Sequence, residues 1–108
     1  MLKLMGLLRR REGMSHDEFV AYWQSHHAEI ARQLPGLRAY KLSPIDHHFE
    51  GGGPRYDGYG ELWFDDRAAF DRATESAAWQ AARADVPNFK AQGPLFLCER
   101  EIVVPPAG

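Results

Sequence analysis

The feature that most constrains the fold is a segment with helix signals at both of its ends. Ser15 is followed three residues later by Glu18, which is the spacing of a capping box at a helix N-terminus. Pro35-Gly36 provides a residue that cannot continue a helix and a residue that tolerates positive φ. The two signals together predict a helix from Ser15 to Leu34.

One face of this predicted helix is apolar. Its residues recur at helical spacing and are Phe19, Trp23, Ile30 and Leu34, with Val20 and Ala31 beside them. At about 100° per residue, His27 lies close to the centre of this stripe, whereas His26 lies toward its margin. The pattern therefore predicts a buried histidine at position 27.

The rest of the chain predicts four strands and a second helical region. The strands are predicted over residues 2–9, 37–43, 57–64 and 95–104. Asp65-Asp66 and Ser76 are N-cap residues, which predicts a helix that reaches residue 84 with a break near Ser76. Residues 44–56 form a long glycine-rich connection, and connections of this length are often functional.

The order β-α-β-β-α-β is typical of a ferredoxin-like α+β fold. It predicts, over residues 1–108, a single domain with a four-stranded antiparallel sheet and both helices on one face. The other face of that sheet has no cover within the chain, although the last strand is apolar on both sides. We therefore expect a homodimer.

Charge and cysteine usage exclude several classes of partner. A net charge of -2 gives no reason to expect nucleic acid or an anionic membrane surface. Cys98 is the single cysteine, so no internal disulfide can form. No apolar run approaches the roughly 20 residues that span a bilayer, and no secretory leader is predicted. We expect a cytoplasmic protein.

In combination, these residues resemble the EthD family of the dimeric α+β barrel superfamily. The resemblance covers nearly the whole chain and is carried by Arg10-Arg11, Gly13-Met14-Ser15, Phe19, Tyr22-Trp23, His27-Ala28, Pro35-Gly36-Leu37, Tyr40, Glu61-Leu62-Trp63-Phe64-Asp65, Asp85, Phe89 and Glu99. It implies a homodimer with sheets packed face to face, and a pocket between the sheet and helices of each subunit. Relatives include lactone isomerases, polyketide-tailoring decarboxylases, cofactor-free oxygenases and accessory proteins without assigned chemistry, so the family constrains the fold more than the reaction.

Candidate site residues follow from the pattern and the resemblance together. His27 is the family's helix histidine and is predicted to be a general acid/base, and Tyr40 a hydrogen-bond donor to a substrate oxygen. The alternatives are a core histidine with a backbone partner and an aromatic ring that fills the sheet surface. We predict that a flat apolar ligand contacts five side chains, namely Trp23, His48, Phe64, Trp79 and Phe89. Glu61 is a base or, alternatively, an interface carboxylate.

Histidine pairs also suggest a metal, although adjacent helical residues such as His26 and His27 point about 100° apart. A site with two histidines and one carboxylate, built from His27, His48 and Asp46, remains an alternative. Glycine-rich nucleotide motifs and paired-cysteine zinc motifs are absent from the sequence. We therefore expect neither a metal nor another cofactor.

The functional prediction is a cofactor-free enzyme that uses acid/base chemistry on a small cyclic or aromatic carbonyl compound. Lactones, quinones and polyketide-like compounds are the expected class, and the reaction is an isomerisation, cyclisation, decarboxylation or oxygenation. The alternative is a non-catalytic dimer that binds a hydrophobic small molecule or assists an oxidative degradation or biosynthetic pathway.

Overall fold

Strands and helices follow one another in the predicted order. The computed structural model describes residues 1–108 and contains β1 (Leu2–Leu8), α1 (His16–Tyr22), a π-helical turn (Trp23–His27), α2 (Ala28–Ala31), β2 (Ala39–Pro44), β3 (Gly58–Phe64), α3 (Arg67–Thr74), α4 (Ala77–Asp85), a short 3-10 turn (Val86–Asn88) and β4 (Leu95–Cys98). The four strands form one antiparallel sheet in the order β2-β3-β1-β4. The helices pack on one face of it, which confirms the ferredoxin-like α+β fold. None of the helices has both the length and the apolar character needed to cross a membrane.

The first helix begins where the capping box places it. Ser15 Oγ accepts a hydrogen bond from the Glu18 amide at 3.1 Å, and the Ser15 amide donates to Glu18 Oε1 at 2.9 Å. Two of the amides left free at a helix start are thereby satisfied. The predicted start at Ser15 is confirmed.

Ser15→Ala should lower the free energy of unfolding by about 1 kcal/mol, because the Glu18 amide loses its acceptor. For a domain of this length that corresponds to a melting temperature lower by about 4–8 °C. Ser43→Ala, which removes an exposed strand hydroxyl with no hydrogen bond, is the control for thermal unfolding. Equal melting temperatures for the two variants would contradict the capping role.

The middle of the first helix is wider than an α-helix. The Ala28 amide donates a hydrogen bond to the Trp23 carbonyl five residues back. The Ser25 hydroxyl donates one to the Ala21 carbonyl at 2.5 Å. The wide turn holds one extra residue compared with an α-helix. After the turn, the residue that faces the sheet is therefore one position later in the sequence than regular helical spacing predicts. Ala31 is consequently buried in the place predicted for Ile30, which is only half-buried.

The predicted helix end at Leu34 was also too late. The helix ends at Ala31, and the next turn tightens to bonds such as the one from the Leu34 amide to the Ala31 carbonyl. Gly36 then adopts a φ of 76°, as expected of a glycine after a helix. Leu37 still belongs to this turn, because its amide bonds to the Leu34 carbonyl, so β2 starts two residues later than predicted.

The last strand is shorter than predicted. It was expected over residues 95–104 but ends at Cys98, which pairs with Lys3 near the start of β1. Only Leu2 of its partner strand lies beyond this pair, so the ladder has room for no more than one further residue. Ile102, Val103 and Val104 are instead 75–82% exposed.

Two apolar clusters lie between the sheet and the helices. The first contains Leu2, Leu34, Phe64, Ala69, Phe70 and Ala73, and the second contains Leu8, Phe19, Trp23 and Phe89. Leu2 and Leu8 are at opposite ends of β1, so the two clusters fill the two ends of the interlayer space. The middle of β1, at Leu4 and Gly6, lines a cavity between them.

Candidate active site

The cavity at the centre of the domain has a volume of about 100 Å³. Its floor is the helix-facing side of the sheet, and its walls come from both helical regions. Most of the lining is apolar, including Leu4, Leu62 and Trp79. Five lining residues carry polar side chains, namely His27, Tyr40, Glu61, Arg83 and Lys90, and the Glu61 carboxylate accepts a hydrogen bond from Trp63. A mostly apolar pocket with a few convergent polar groups is the usual form of a small-molecule site.

His27 enters this cavity from the wide turn of the first helix. Its Nδ1 lies 2.8 Å from Oδ2 of Asp85, a buried carboxylate at the end of α4. A carboxylate can only accept, so Nδ1 carries the proton. Nε2 has no hydrogen-bond partner within the chain and is left as the free acceptor on a ring that lines the cavity.

Asp85 is held by three donors. Tyr22 donates to its Oδ1 at 2.6 Å and Asn88 at 3.0 Å, in addition to the bond from His27. Burial acts to raise the pKa of Asp85, but these three hydrogen bonds outweigh it and hold the pKa below its usual range. The carboxylate is therefore ionised near neutral pH and fixes the tautomer of His27.

The imidazole of His27 is a neutral base near neutral pH. Burial lowers its pKa below the usual value, and the hydrogen bond and charge of Asp85 offset this only in part. The positive charge of Lys90 lowers the pKa further. Phe89 packs against the ring with centroids 4.6 Å apart and keeps that side free of water.

Tyr40 and Trp23 form a second polar point of the cavity. Trp23 Nε1 donates to the Tyr40 hydroxyl at 3.0 Å, so the phenol oxygen is an acceptor within the chain. The phenol proton has no acceptor of its own in the protein. Burial raises the pKa of Tyr40 to about 12, so this proton is retained and is available to a ligand.

The structure brings together only part of the predicted set. His27, Tyr40, Trp23 and Trp79 line the same cavity. Phe64 and Phe89 are fully buried in the two core clusters and do not line it. His48 is exposed and lies on a separate cleft beside β1 and the long connection. No residue of that connection reaches the central cavity.

The arrangement considered for a metal is not formed. Asp46 and His48 lie on the separate cleft, whereas His27 is bonded to Asp85 in the central cavity. The structure gathers no three histidine, cysteine, aspartate or glutamate side chains in a geometry suited to a metal ion. Asp46 instead lies 3.5 Å from His16, whose other ring nitrogen is 2.9 Å from the buried Asp57.

Sequence reasoning assigned no role to Asp85, Arg83 or Lys90. Asp85 is among the residues that carry the family resemblance, which is the signal that could have identified it. Arg83 and Lys90 gave no such signal, because charged residues near a helix end are usually solvated. Glu61, considered as a base, has its carboxylate 2.7 Å from Trp63 Nε1. Strand alternation places both side chains on the uncovered face of the sheet.

The pKa values of buried His27 and half-buried His16 should be shifted in opposite directions. The hydrogen bond to Asp57 raises the pKa of His16, so its ring should gain a proton above pH 6.5, whereas His27 should do so only below 6.5. Asp85→Asn should move the His27 titration to still lower pH, because it removes a charge that favours the imidazolium. Imidazole proton shifts in an NMR titration measure this. A His27 pKa that is not lowered would contradict the burial of its ring away from water.

The fold defines a ferredoxin-like α+β protein with a cavity between its sheet and its helices, and comparison with known proteins identifies its family. The EthD domain matches residues 11–93. The chain therefore belongs to the EthD family.

Individual relatives agree with this assignment. An uncharacterized 11.0 kDa protein from the thcB-thcC intergenic region of Rhodococcus erythropolis is 28% identical over 88 residues, covering 81% of this chain and 84% of its own. An EthD family protein from Bacillus halodurans superposes with a TM-score of 0.79 at 24% identity, covering 94% of this chain and 99% of its own.

Two further solved structures share the fold at lower identity. A dimeric ferredoxin-like protein of unknown function from Thermobifida fusca has a TM-score of 0.68 at 15% identity, covering 92% of this chain and 90% of its own. SnoaB, a cofactor-independent oxygenase from Streptomyces nogalater, has a TM-score of 0.67 at 12% identity, with 97% of both chains covered. These likenesses establish the fold alone.

Proposed function

We propose that this protein is a cofactor-free enzyme that moves protons on a small cyclic or aromatic carbonyl compound of the lactone, quinone or polyketide-like class. The observation that carries the proposal is the His27–Asp85 pair, in which a neutral imidazole has its Nδ1 proton fixed and its Nε2 free at an apolar cavity. A buried base of this kind is suited to removing a proton next to a carbonyl group.

The two polar points of the cavity give the residues separate roles. His27 Nε2 takes the proton from carbon and returns it at another position or to a leaving group. Tyr40 donates its free phenol proton to the carbonyl oxygen, where negative charge develops as the enolate forms. Trp23 orients Tyr40 and, with Trp79, offers aromatic surface to the substrate ring. Isomerisation, cyclisation and reaction of a carbanion with oxygen begin from such an intermediate, whereas decarboxylation forms it as CO₂ leaves and ends when His27 protonates the carbon.

A binding screen followed by an exchange measurement tests this function. Cyclic and aromatic carbonyl compounds are screened by thermal shift, where a ligand at 100 times its Kd adds about 2.7 kcal/mol of stability. Compounds that bind are then incubated in D₂O with the protein, and deuterium entry at carbon is followed by NMR. We expect exchange or conversion that depends on His27. Tight binding without either would support the alternative, a non-catalytic dimer that binds a hydrophobic small molecule or assists a degradation or biosynthetic pathway.

The assembly we propose is a homodimer formed through the uncovered face of the sheet. That face presents half-buried side chains that include Met5, Leu7 and Trp63, together with Phe96, which is 49% exposed. Such a surface is more apolar than that of a typical monomer. We place this dimer in the cytoplasm, with which the single free Cys98 is compatible.

Sedimentation equilibrium should therefore give about twice the chain mass of 12.3 kDa at micromolar concentration. Phe96→Glu and Trp63→Glu should each shift the population toward monomer, because a buried unpaired carboxylate opposes association. Phe49→Glu is the matched control, since Phe49 is 95% exposed on the long connection and away from the sheet. A wild-type protein that sediments at the mass of one chain would overturn the dimer.

A further inference from the structure

Two cations line the central cavity without a counter-ion. Arg83 lies near the end of α4 and is exposed, and Lys90 follows the 3-10 turn and is half-buried. Both side chains line the cavity, yet neither has a carboxylate within 4.0 Å or a side-chain hydrogen bond. Burying a charge without a partner is costly, so a half-buried Lys90 indicates a missing anionic partner.

The electrostatics of the site point the same way. Burial lowers the pKa of Lys90, and the neighbouring charge of Arg83 lowers it further. Lys90 in turn lowers the pKa of His27, so the three groups influence one another around one space. An anion among them would relieve this repulsion.

The carboxylates nearest the cavity do not supply that anion. Asp85 lies behind the His27 ring, where both of its oxygens accept hydrogen bonds. Glu61 bonds to Trp63 on the opposite face of the sheet. The wall that carries Arg83 and Lys90 is therefore positive, and the rest of the lining is mostly apolar apart from His27, Tyr40 and Glu61.

We propose that the substrate is a small cyclic or aromatic carboxylate, whose carboxylate group is bound by Arg83 and Lys90 and whose ring lies against the apolar lining beside Trp79. The inference rests on the proposed function, since it assigns a substrate class to the same cavity. Arginine and lysine make charge-assisted hydrogen bonds to carboxylates, which are stronger than neutral ones. At about 100 Å³ the cavity is smaller than the roughly 150 Å³ that holds benzene, so it encloses at most one ring, and the carboxylate of the ligand lies toward the exposed Arg83.

The direction of binding follows from this placement. With its carboxylate at Arg83 and Lys90, the ring of the substrate extends inward toward His27 and Tyr40. The acidic carbon and the carbonyl oxygen are then on the ring, away from the anchoring group. The same two cations also favour any enolate formed there, since the bound molecule gains negative charge as it loses a proton.

A pair of isosteric probes, benzoate and benzamide, tests the anion site without knowledge of the natural substrate. Their affinities are measured by NMR chemical-shift titration at constant ionic strength. We expect wild-type protein to bind benzoate at least tenfold more tightly than benzamide, because a hydrogen bond between charged groups adds about that factor. Lys90→Met and Arg83→Gln should each weaken benzoate about tenfold and leave benzamide unchanged.

The controls separate this inference from the catalytic proposal. Arg72→Gln removes an exposed arginine that does not line the cavity and should leave both affinities unchanged. His27→Gln should retain benzoate affinity although it strongly reduces turnover, so the experiment distinguishes a loss of catalysis from a loss of binding. Equal wild-type affinity for the two probes, no saturable binding of benzoate, or an Arg83→Gln variant with undiminished preference for benzoate would overturn the inference. Because Arg83 is exposed, that variant remains informative if Lys90→Met does not fold.

Discussion

His27→Gln should reduce turnover by about 10²–10⁴-fold while the protein remains folded. The glutamine amide can donate to Asp85 in place of Nδ1, so the buried carboxylate keeps a partner. What the variant lacks is the basic Nε2 at the cavity. Thermal unfolding and steady-state kinetics on the substrate found by screening measure the two effects separately.

The control for this variant is His47→Gln, which changes an exposed histidine of the long connection. It should affect neither turnover nor stability. If His27 is only a core histidine, His27→Gln instead lowers stability by about 1–3 kcal/mol and spares the activity of the folded fraction. A stable variant with full turnover would remove His27 from the mechanism.

The pH profile gives a further signature of the same residue. Burial lowers the pKa of His27, and the base is active only when neutral, so kcat/KM should fall on the acid side with a midpoint below pH 6.5. Asp85→Asn should move that midpoint to lower pH. It should also lower the maximum rate, because the asparagine amide does not fix the tautomer as a carboxylate does.

Gly58→Ala should destabilise the protein by about 1–3 kcal/mol, through overpacking against Trp23. A Cβ at Gly58 would lie 2.6 Å from Cζ3 of the Trp23 indole, which is only 1% exposed and has no free space to move into. Each kcal/mol corresponds to about 4–8 °C of melting temperature in a domain of this size. Calorimetry or circular dichroism measures the shift.

Two further variants test whether the stability lost in Gly58→Ala comes from steric conflict with Trp23. Gly52→Ala is the control, since no atom lies within 4 Å of its added Cβ and its φ is not positive. It should change stability by no more than about 0.5 kcal/mol. Trp23→Phe removes the part of the indole that meets the new methyl group, so Gly58→Ala should cost less in that background. An equal cost in both backgrounds would contradict steric conflict with Trp23.

The sequence predicted those features of the fold that depend only on neighbouring residues, such as the starts of the helices. The capping box at Ser15 and the caps at Asp66 and Ser76 act within three residues, and all three start helices in the structure. The length of β4 depends instead on where β1 begins. The sequence from Leu95 to Val104 contains no information about that distant limit.

The site was predictable to the same extent. The inward direction of His27 follows from helical spacing, and the structure places it at the cavity. Its partner Asp85 is 58 residues away in the chain, so only the folded topology brings them together. The separation of His48 from His27 is likewise a property of where the long connection runs, which composition does not specify.

The wide turn at Trp23–His27 matters for anyone who compares or redesigns this helix. A helical wheel drawn at constant spacing from Ser15 places Ile30 inside and Ala31 at the edge, the reverse of their observed burial. A relative with a regular helix therefore aligns with this one only if a one-residue gap falls inside the turn. Excising an exposed residue such as Gln24 would remove that extra residue and restore regular winding, so the residues after Ala28 would keep their present neighbours and only those inside the turn would change theirs.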